Sequence, residues 1–115
     1  MAHLAGLLRL AHPLPTLLNA LIAAALTLTA GGSAAQTVLA AITMLGVHTS
    51  IGAMNDLLDQ TSDAGREEKP LVDGSVSPRE ARVMVVVAAT AGLAAASALS
   101  STSLMIAGAG ATLGY

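Results

Sequence analysis

The sequence predicts an all-α protein, a bundle of membrane-spanning helices, and three features support this prediction. Only 10% of the 115 residues are charged and 54% are hydrophobic, whereas a soluble domain carries about a quarter charged residues. Eleven of the twelve charged side chains lie between Asp56 and Arg82, so residues 10–55 and 83–115 contain none. Ala and Gly are abundant, and such small residues let membrane helices pack closely. Two long uncharged stretches beside one polar loop fit a surface that faces lipid.

Three apolar segments are long enough to cross a bilayer. Residues 13–30 give about 27 Å of helix, close to the hydrocarbon thickness, and residues 37–58 and 81–101 are at least as long. A fourth segment, residues 104–115, is too short to cross as a helix. We therefore expect a single, truncated membrane domain, the N-terminal part of a longer protein, with three helices and part of a fourth. The mildly amphipathic residues 1–12 are predicted to lie at the membrane interface.

A polar loop over residues 59–80 separates the second and third predicted spans. Glycine and proline residues within it disfavour a continuous helix. At its end Ser77 is placed to cap a helix, Pro78 suits the first helical position, and Glu80 completes a capping box. After the third span, residues 101–103 are predicted to form a short turn.

The basic residues predict how the chain is oriented in the membrane. With spans at 13–30 and 37–58, the N-terminus and the 59–80 loop lie on one side, while the connector 31–36 carries no Lys or Arg. All five basic residues lie on or next to the loop side: Arg9, Arg66, Lys69, Arg79 and Arg82. The positive-inside rule then places the N-terminus and the loop in the cytoplasm.

Four polar side chains follow one another at the end of the second span in the pattern N-D-x-x-D-x-x-x-D. They are Asn55, Asp56, Asp59 and Asp63. On a continuous helix all four fall within a stripe about 100° wide. Gly52 lies on the same stripe and leaves room for a close approach. The end of this helix is therefore predicted to present three carboxylates and an amide to one cavity.

A cluster of three carboxylates at a membrane surface requires compensating positive charge. Ionised acids on one face repel each other, and their ionisation near the membrane is costly. Oxygen-only ligands suit a hard cation such as Mg²⁺, which is often shared with phosphate. Arg66 and Lys69 follow closely and can hold phosphate oxygens. Acids that bind a metal beside bases that bind phosphate predict a Mg²⁺–diphosphate site.

Residues 55–81 resemble the first signature of the UbiA family of intramembrane prenyltransferases. In that family the N-D-x-x-D-x-x-x-D helix end is followed by a basic residue, Pro and Leu, then by a short Gly-containing stretch, Ser and a new helix. This chain has Lys69-Pro70-Leu71, then Gly74 and Ser77, in the same order. The resemblance extends to the region from Arg9 to Pro13 before the first span, and to Asn19 within it.

The resemblance implies transfer of an isoprenoid from its diphosphate to an acceptor inside the membrane. The catalytic residues it implies are Asp56, Asp59 and Asp63. Together with Asn55 these acids would hold Mg²⁺ on the diphosphate. Cleavage of the allylic C–O bond would leave a carbocation for the acceptor to attack.

The same resemblance implies a set of substrate-binding residues: Asn19, Asn55, Arg66 and Lys69. The implied partners are an isoprenoid diphosphate, an acceptor and membrane lipid, and no nucleic acid is expected. The family's second Asp-rich motif is not found in these 115 residues, so we expect the chain alone to be inactive.

Other interpretations of the same residues are open at this stage. The acidic stripe could be a solvated helix end, or could bind cations or protons in a transporter or a structural bundle. Neither alternative gives a reason for basic residues beside the acids. His48 is expected to be a packed polar residue, and Glu67, Glu68 and Asp73 are expected to be solvated loop charges.

Overall fold

A computed structural model describes residues 2–114, in which every regular element is a helix, as the sequence predicts. Five helices follow in chain order: α1 (Ala2–Leu10), α2 (Pro13–Thr29), α3 (Ala34–Leu58), α4 (Pro78–Leu99) and α5 (Ser101–Gly114). Met1 in the predicted segment 1–12 and Tyr115 in the predicted segment 104–115 lie outside the described residues.

Two of the helices, α3 and α4, are individually long and apolar enough to cross a membrane. The 17 residues of α2 are shorter, but α1 and α2 together pass the same test as a pair bent by 48°. The predicted span over residues 13–30 is therefore the longer arm of a bent pair. The bend lies at the two residues between the arms, Ala11 and His12.

Capping boxes fix the starts of both long helices. At α4 the Ser77 backbone N–H donates to Glu80 Oε2 (2.8 Å), and Ser77 Oγ accepts from the Glu80 N–H (3.3 Å), as predicted. Ser33 and Gln36 form the same reciprocal pair at α3. Because two otherwise unsatisfied N–H groups are paired there, α3 begins at Ala34, three residues before the predicted start.

The C-terminal end of α4 differs from the prediction. The helix begins at Pro78, as the predicted cap requires, but it ends at Leu99 instead of at residue 101, and α5 begins at Ser101. The predicted turn over residues 101–103 is therefore wrong. The interruption is the single extended residue Ser100, whose Oγ accepts from the Ser103 N–H (3.0 Å) and so caps α5.

Two glycines allow α3 and α4 to pack backbone against backbone. A Cβ atom at Gly46 would lie 2.5 Å from the Ala88 carbonyl oxygen and 2.6 Å from Gly92 Cα. A Cβ atom at Gly92 would lie 2.9 Å from the Val47 backbone nitrogen. Membrane helices associate through such small-residue contacts. The close crossing holds α3, and the polar end that it carries, against α4.

We expect Gly46→Ala and Gly92→Ala to destabilise the bundle, because the added methyl groups meet backbone atoms that cannot rotate away. Overpacking of this kind costs about 1–3 kcal/mol. The measurement is the Tm of the purified protein in detergent, with Gly108→Ala as control, since nothing lies within 4 Å of a Cβ built there. Equal Tm values for all three variants would show that the crossing is not tightly packed.

An apolar cluster fastens the loop to the adjoining ends of the helices by burying side chains from α1, α3, α4 and the loop itself. Its members are Leu10, Ala53, Leu71, Val76, Ala81 and Val85. Most large apolar side chains of α2 are exposed, Leu14 and Leu21 among them, as expected of helices in contact with lipid or further protein. The loop is therefore folded against the bundle, where it can contribute to a site.

Candidate functional site

Asp56 is the centre of the polar region at the end of α3. It lies in the last turn of that helix and is only 5% exposed. Its Oδ1 accepts a hydrogen bond from Lys69 Nζ at 2.6 Å, and its Oδ2 lies 3.2 Å from His12 Nε2. Burial of a carboxylate is favourable only when it is paired in this way. Three separate parts of the chain therefore meet at one carboxylate.

Asp63 is brought to the same place by a turn beyond the helix. α3 ends at Leu58, so the stripe predicted on a continuous helix is interrupted there. The Asp63 N–H nevertheless donates to the Asp59 carbonyl at 2.8 Å, which repeats the spacing of one helical turn. Asp63 is 7% exposed, and its two carboxylate oxygens lie 2.9 Å from Arg66 Nη1 and 3.3 Å from Lys69 Nζ.

The charges of this cluster are matched within the chain. Burial by itself raises the pKa of Asp63, but hydrogen bonds from Arg66 and Lys69 and the positive charge of both residues outweigh it and hold the pKa below its ordinary value. The hydrogen bond to Asp56, together with the nearby charges of Asp56 and Asp63, raises the pKa of Lys69 despite its partial burial. Lys69 is thus a firmly protonated cation that bridges two buried acids.

The backbone that carries Lys69 is fixed to α1 through Arg9. The Arg9 guanidinium donates to the Glu68 carbonyl (3.0 Å) and to Asp73 Oδ2 (2.7 Å). Hydrogen bonds from Ser75, and then from Arg9, lower the pKa of Asp73 to about 2. Asp73, expected to be a solvated loop charge, is exposed and is also ion-paired with Arg9. Glu68 is likewise paired, since its Oε1 accepts from Arg66 Nε (3.0 Å).

A cavity of about 240 Å³ opens beside this cluster. Four of the predicted site residues line it: Asn55, Asp56, Asp59 and Lys69. His12, His48 and Gly52 line it as well, and the close approach predicted at Gly52 is made by the His12 ring, since a Cβ atom on Gly52 would lie 2.7 Å from His12 Cδ2. A second cavity of about 320 Å³ lies on the loop side and shares His12, Asp56 and Lys69 with the first. The structure therefore brings most of the predicted residues around one opening.

Three predicted residues lie outside that lining. Asn19 donates to the Pro15 carbonyl within its own helix (2.9 Å). Arg66 is turned to Asp63 and Glu68, with 58% of its side chain exposed. Asp63 contacts the cavity only through Lys69. The predicted roles of these side chains remain predictions.

The oxygen donors around the cavity have the chemistry that a Mg²⁺ site requires. Within residues 2–114 no three His, Asp or Glu side chains form a ready-made metal cluster. Asp56 and Asp63 are paired with the chain's own bases. Asn55, Asp56 and Asp59 nevertheless line one cavity, and amide and carboxylate oxygens are the ligands of a hard cation. This donor set fits Mg²⁺. In the structure the positive charge beside these oxygens is the ammonium group of Lys69.

His12 is the site residue that the sequence analysis missed. It has left-handed backbone angles, φ 49° and ψ 59°, which cost a non-glycine residue about 1–2 kcal/mol. The sequence analysis placed it at the end of an interface segment and within the Arg9–Pro13 region of the family resemblance, but assigned it no role.

The fold and the site together define an integral membrane helical protein with a charge-paired polar cavity at one end of an apolar bundle. Residues 16–115 match the model of the UbiA prenyltransferase family. The chain belongs to that family, which confirms the resemblance seen in the sequence and identifies a membrane prenyltransferase at the level of the family. No curated protein and no solved structure matches it significantly.

Proposed function

We propose that the end of α3 and the following loop bind the diphosphate of an isoprenoid diphosphate together with Mg²⁺, and that the intact protein transfers the isoprenyl group to an acceptor in the membrane. The observation that carries this proposal is the bridge that Lys69 forms between Asp56 and Asp63. A cation placed between buried acids, beside a cavity lined by further oxygen donors, is an arrangement suited to a metal–phosphate complex.

In this proposal Asn55, Asp56, Asp59 and Asp63 hold the metal. When bound, Mg²⁺ would neutralise charge on the diphosphate as it leaves. The family membership supports these roles in general terms, and the shared cavity supports them for the first three residues. Asp63 does not line that cavity, so its proposed role as a ligand is supported only by the family membership.

Lys69 is proposed to pair either with carboxylates or with phosphate oxygens. In the structure its ammonium group is bound to carboxylates, and its long flexible stem allows it to turn to phosphate oxygens once another cation satisfies those acids. Arg66, whose side chain is largely exposed, is likewise proposed to bind phosphate oxygens. Asn55 and Asn19 are the other proposed substrate-binding groups. As the allylic C–O bond breaks, its electron pair passes to the diphosphate, and these donors stabilise the developing charge.

We further propose that the 115 residues alone are inactive, because the family resemblance implies a second Asp-rich motif that they do not contain. Assays therefore use the intact protein that carries this chain. The direct test supplies an allylic isoprenyl diphosphate in Mg²⁺ or in EDTA and measures released diphosphate and prenylated lipid. Mg²⁺-dependent formation of both supports the proposal, whereas no release from any isoprenyl chain length would reject it and would favour a transport role.

We also propose that residues 1–115 form part of one multi-pass membrane domain with the N-terminus and the 59–80 loop in the cytoplasm. The basic side chains on that side support this orientation. The chain contains no Cys, so single cysteines can be introduced at the exposed positions Glu67 and Ala35. In intact cells an impermeant thiol reagent should label Ala35→Cys and not Glu67→Cys. The opposite labelling pattern would reverse the proposed topology.

A further inference from the structure

We infer that His12 is a positioning residue that fixes the orientation of the Asp56 carboxylate for metal and diphosphate binding. This inference rests on the proposed function, which assigns Asp56 to that site. His12 belongs neither to the Asp-rich motif nor to the loop, and it reaches Asp56 from the bend between α1 and α2.

The contact with His12 holds Oδ2 of Asp56, the oxygen that Lys69 does not bind. Lys69 binds Oδ1, and His12 Nε2 lies 3.2 Å from Oδ2. Because an ionised carboxylate only accepts hydrogen bonds, Nε2 carries the hydrogen and donates it. With one oxygen held from the loop and the other from the α1–α2 bend, the carboxylate plane cannot rotate freely. A ligand that displaces Lys69 would therefore meet an oxygen that is already oriented.

The backbone at His12 turns the ring toward α3. A residue before proline normally adopts an extended conformation, yet His12 is left-handed and its carbonyl accepts the first hydrogen bond of α2, from the Thr16 N–H (3.2 Å). Non-glycine residues keep such a conformation only where the surrounding structure holds them in it, and these residues concentrate at functional sites.

Gly52 supplies the space that the ring occupies. It lies one helical turn before Asp56, and a Cβ atom there would lie 2.7 Å from His12 Cδ2 and 3.2 Å from Cγ. The absence of a side chain on α3 and the left-handed bend before α2 are two separate features of the molecule. Both bring the His12 ring to Asp56.

The location of His12 relative to the cavities agrees with this role. His12, Asp56 and Lys69 are the polar side chains shared by the 240 Å³ and 320 Å³ cavities. The three groups therefore stand between the two openings. A change at His12 should alter the presentation of Asp56 to a ligand without removing any proposed ligand atom.

The test measures ligand binding without turnover, with Mg²⁺ and inorganic diphosphate as the probe. The intact protein in detergent is titrated with the pair, and the rise in Tm that binding produces gives the half-saturating concentration. Loss of a group that orients a metal ligand commonly weakens binding about 10- to 100-fold. We expect His12→Ala to raise the half-saturating concentration by about that factor.

Two further variants separate positioning from general packing. Asparagine tolerates the left-handed region and retains a donor, so His12→Asn should recover part of the lost affinity. Gly52→Ala leaves His12 in place but displaces its ring, so it should weaken binding in the same direction as His12→Ala. The control is His3→Ala, an exposed histidine of α1 whose ring nitrogens face Ser75 and Glu80, away from Asp56.

The outcomes distinguish this inference from the function on which it rests. If His12→Ala and Gly52→Ala both bind the probe like the wild type while Asp56→Ala does not, the positioning role is rejected and the site stands. If Asp56→Ala also binds like the wild type, the proposed function fails. Should His12→Ala not fold, Gly52→Ala decides: weakened binding supports the role and unchanged binding overturns it.

Discussion

Replacing Asp56 by alanine should lower the prenyl-transfer rate of the intact protein by about 10²–10³-fold, the usual cost of removing one member of a preorganised electrostatic site. Asp56 is the most buried acid of the cluster and the one that both Lys69 and His12 contact. Without it the proposed site loses a metal ligand, and Lys69 keeps only its longer contact, to Asp63. The measurement is the single-turnover rate at saturating Mg²⁺ and isoprenyl diphosphate.

Matched variants make this result specific. Asp59→Ala should show a loss of similar size, because Asp59 lines the same cavity, and Asp63→Ala a smaller one, because Asp63 lies outside that lining. Glu67→Ala should be nearly silent, since Glu67 is an exposed loop acid for which no ion pair is seen within the described part of the chain. A rate for Asp56→Ala within about threefold of the wild type would exclude Asp56 from a preorganised site.

Replacing Lys69 by alanine should weaken diphosphate binding without weakening Mg²⁺ binding. Binding of inorganic diphosphate in the presence of Mg²⁺ should weaken about 10- to 100-fold, since a hydrogen bond between charged groups contributes about 1.5–3 kcal/mol. Binding of Mg²⁺ alone should be unchanged or tighter, because Lys69 competes with the metal for Asp56 Oδ1 and Asp63 Oδ2. Isothermal titration of the purified protein measures both constants.

Arg66→Ala is the comparison for the lysine variant. Arg66 is more exposed than Lys69 and does not contact Asp56, so its loss should weaken diphosphate binding less and leave the Mg²⁺ affinity close to the wild-type value. If Lys69→Ala weakened Mg²⁺ and diphosphate binding equally, Lys69 would be a structural brace of the loop and not a residue that exchanges acids for phosphate.

Much of the fold follows from local features of the sequence. The two long uncharged stretches and the capping box at Ser77 predicted α3 and α4. α3 ends at Leu58, where the predicted apolar span ends, although the acidic stripe was predicted on a helix that continues to Asp63. The predicted helix boundaries are wrong where a single residue determines them. Ser33 starts α3 early by forming a capping box with Gln36, and Ser100 interrupts the chain between α4 and α5 by adopting an extended conformation.

The site was predictable where its members are close in sequence. Asn55, Asp56 and Asp59 lie within two turns of one another, so the periodicity of α3 was enough to place them together. Asp63 lies near them for a different reason, the hydrogen-bonded turn that begins at Asp59. The general position of Lys69 followed from the family pattern, but its bridge between two acids depends on how the loop folds.

Contacts between distant segments could not be read from the pattern. Arg9 binds Asp73 across 64 positions and His12 reaches Asp56 across 44. The second contact comes from the bend between α1 and α2, where a left-handed histidine precedes a proline, a conformation that local preference disfavours. The tertiary structure overrides the local preference at the place where the site is assembled.

The Mg²⁺ dependence of diphosphate release tests the proposed site most directly. Release from an isoprenyl diphosphate is measured against Mg²⁺ concentration for the wild type, Asp56→Ala, Asp59→Ala and Glu67→Ala. The two aspartate variants should need a much higher Mg²⁺ concentration for half-maximal rate, and Glu67→Ala should follow the wild-type curve. A wild-type Mg²⁺ response in both aspartate variants would contradict the assignment and would leave the acidic end of α3 as a solvated helix terminus.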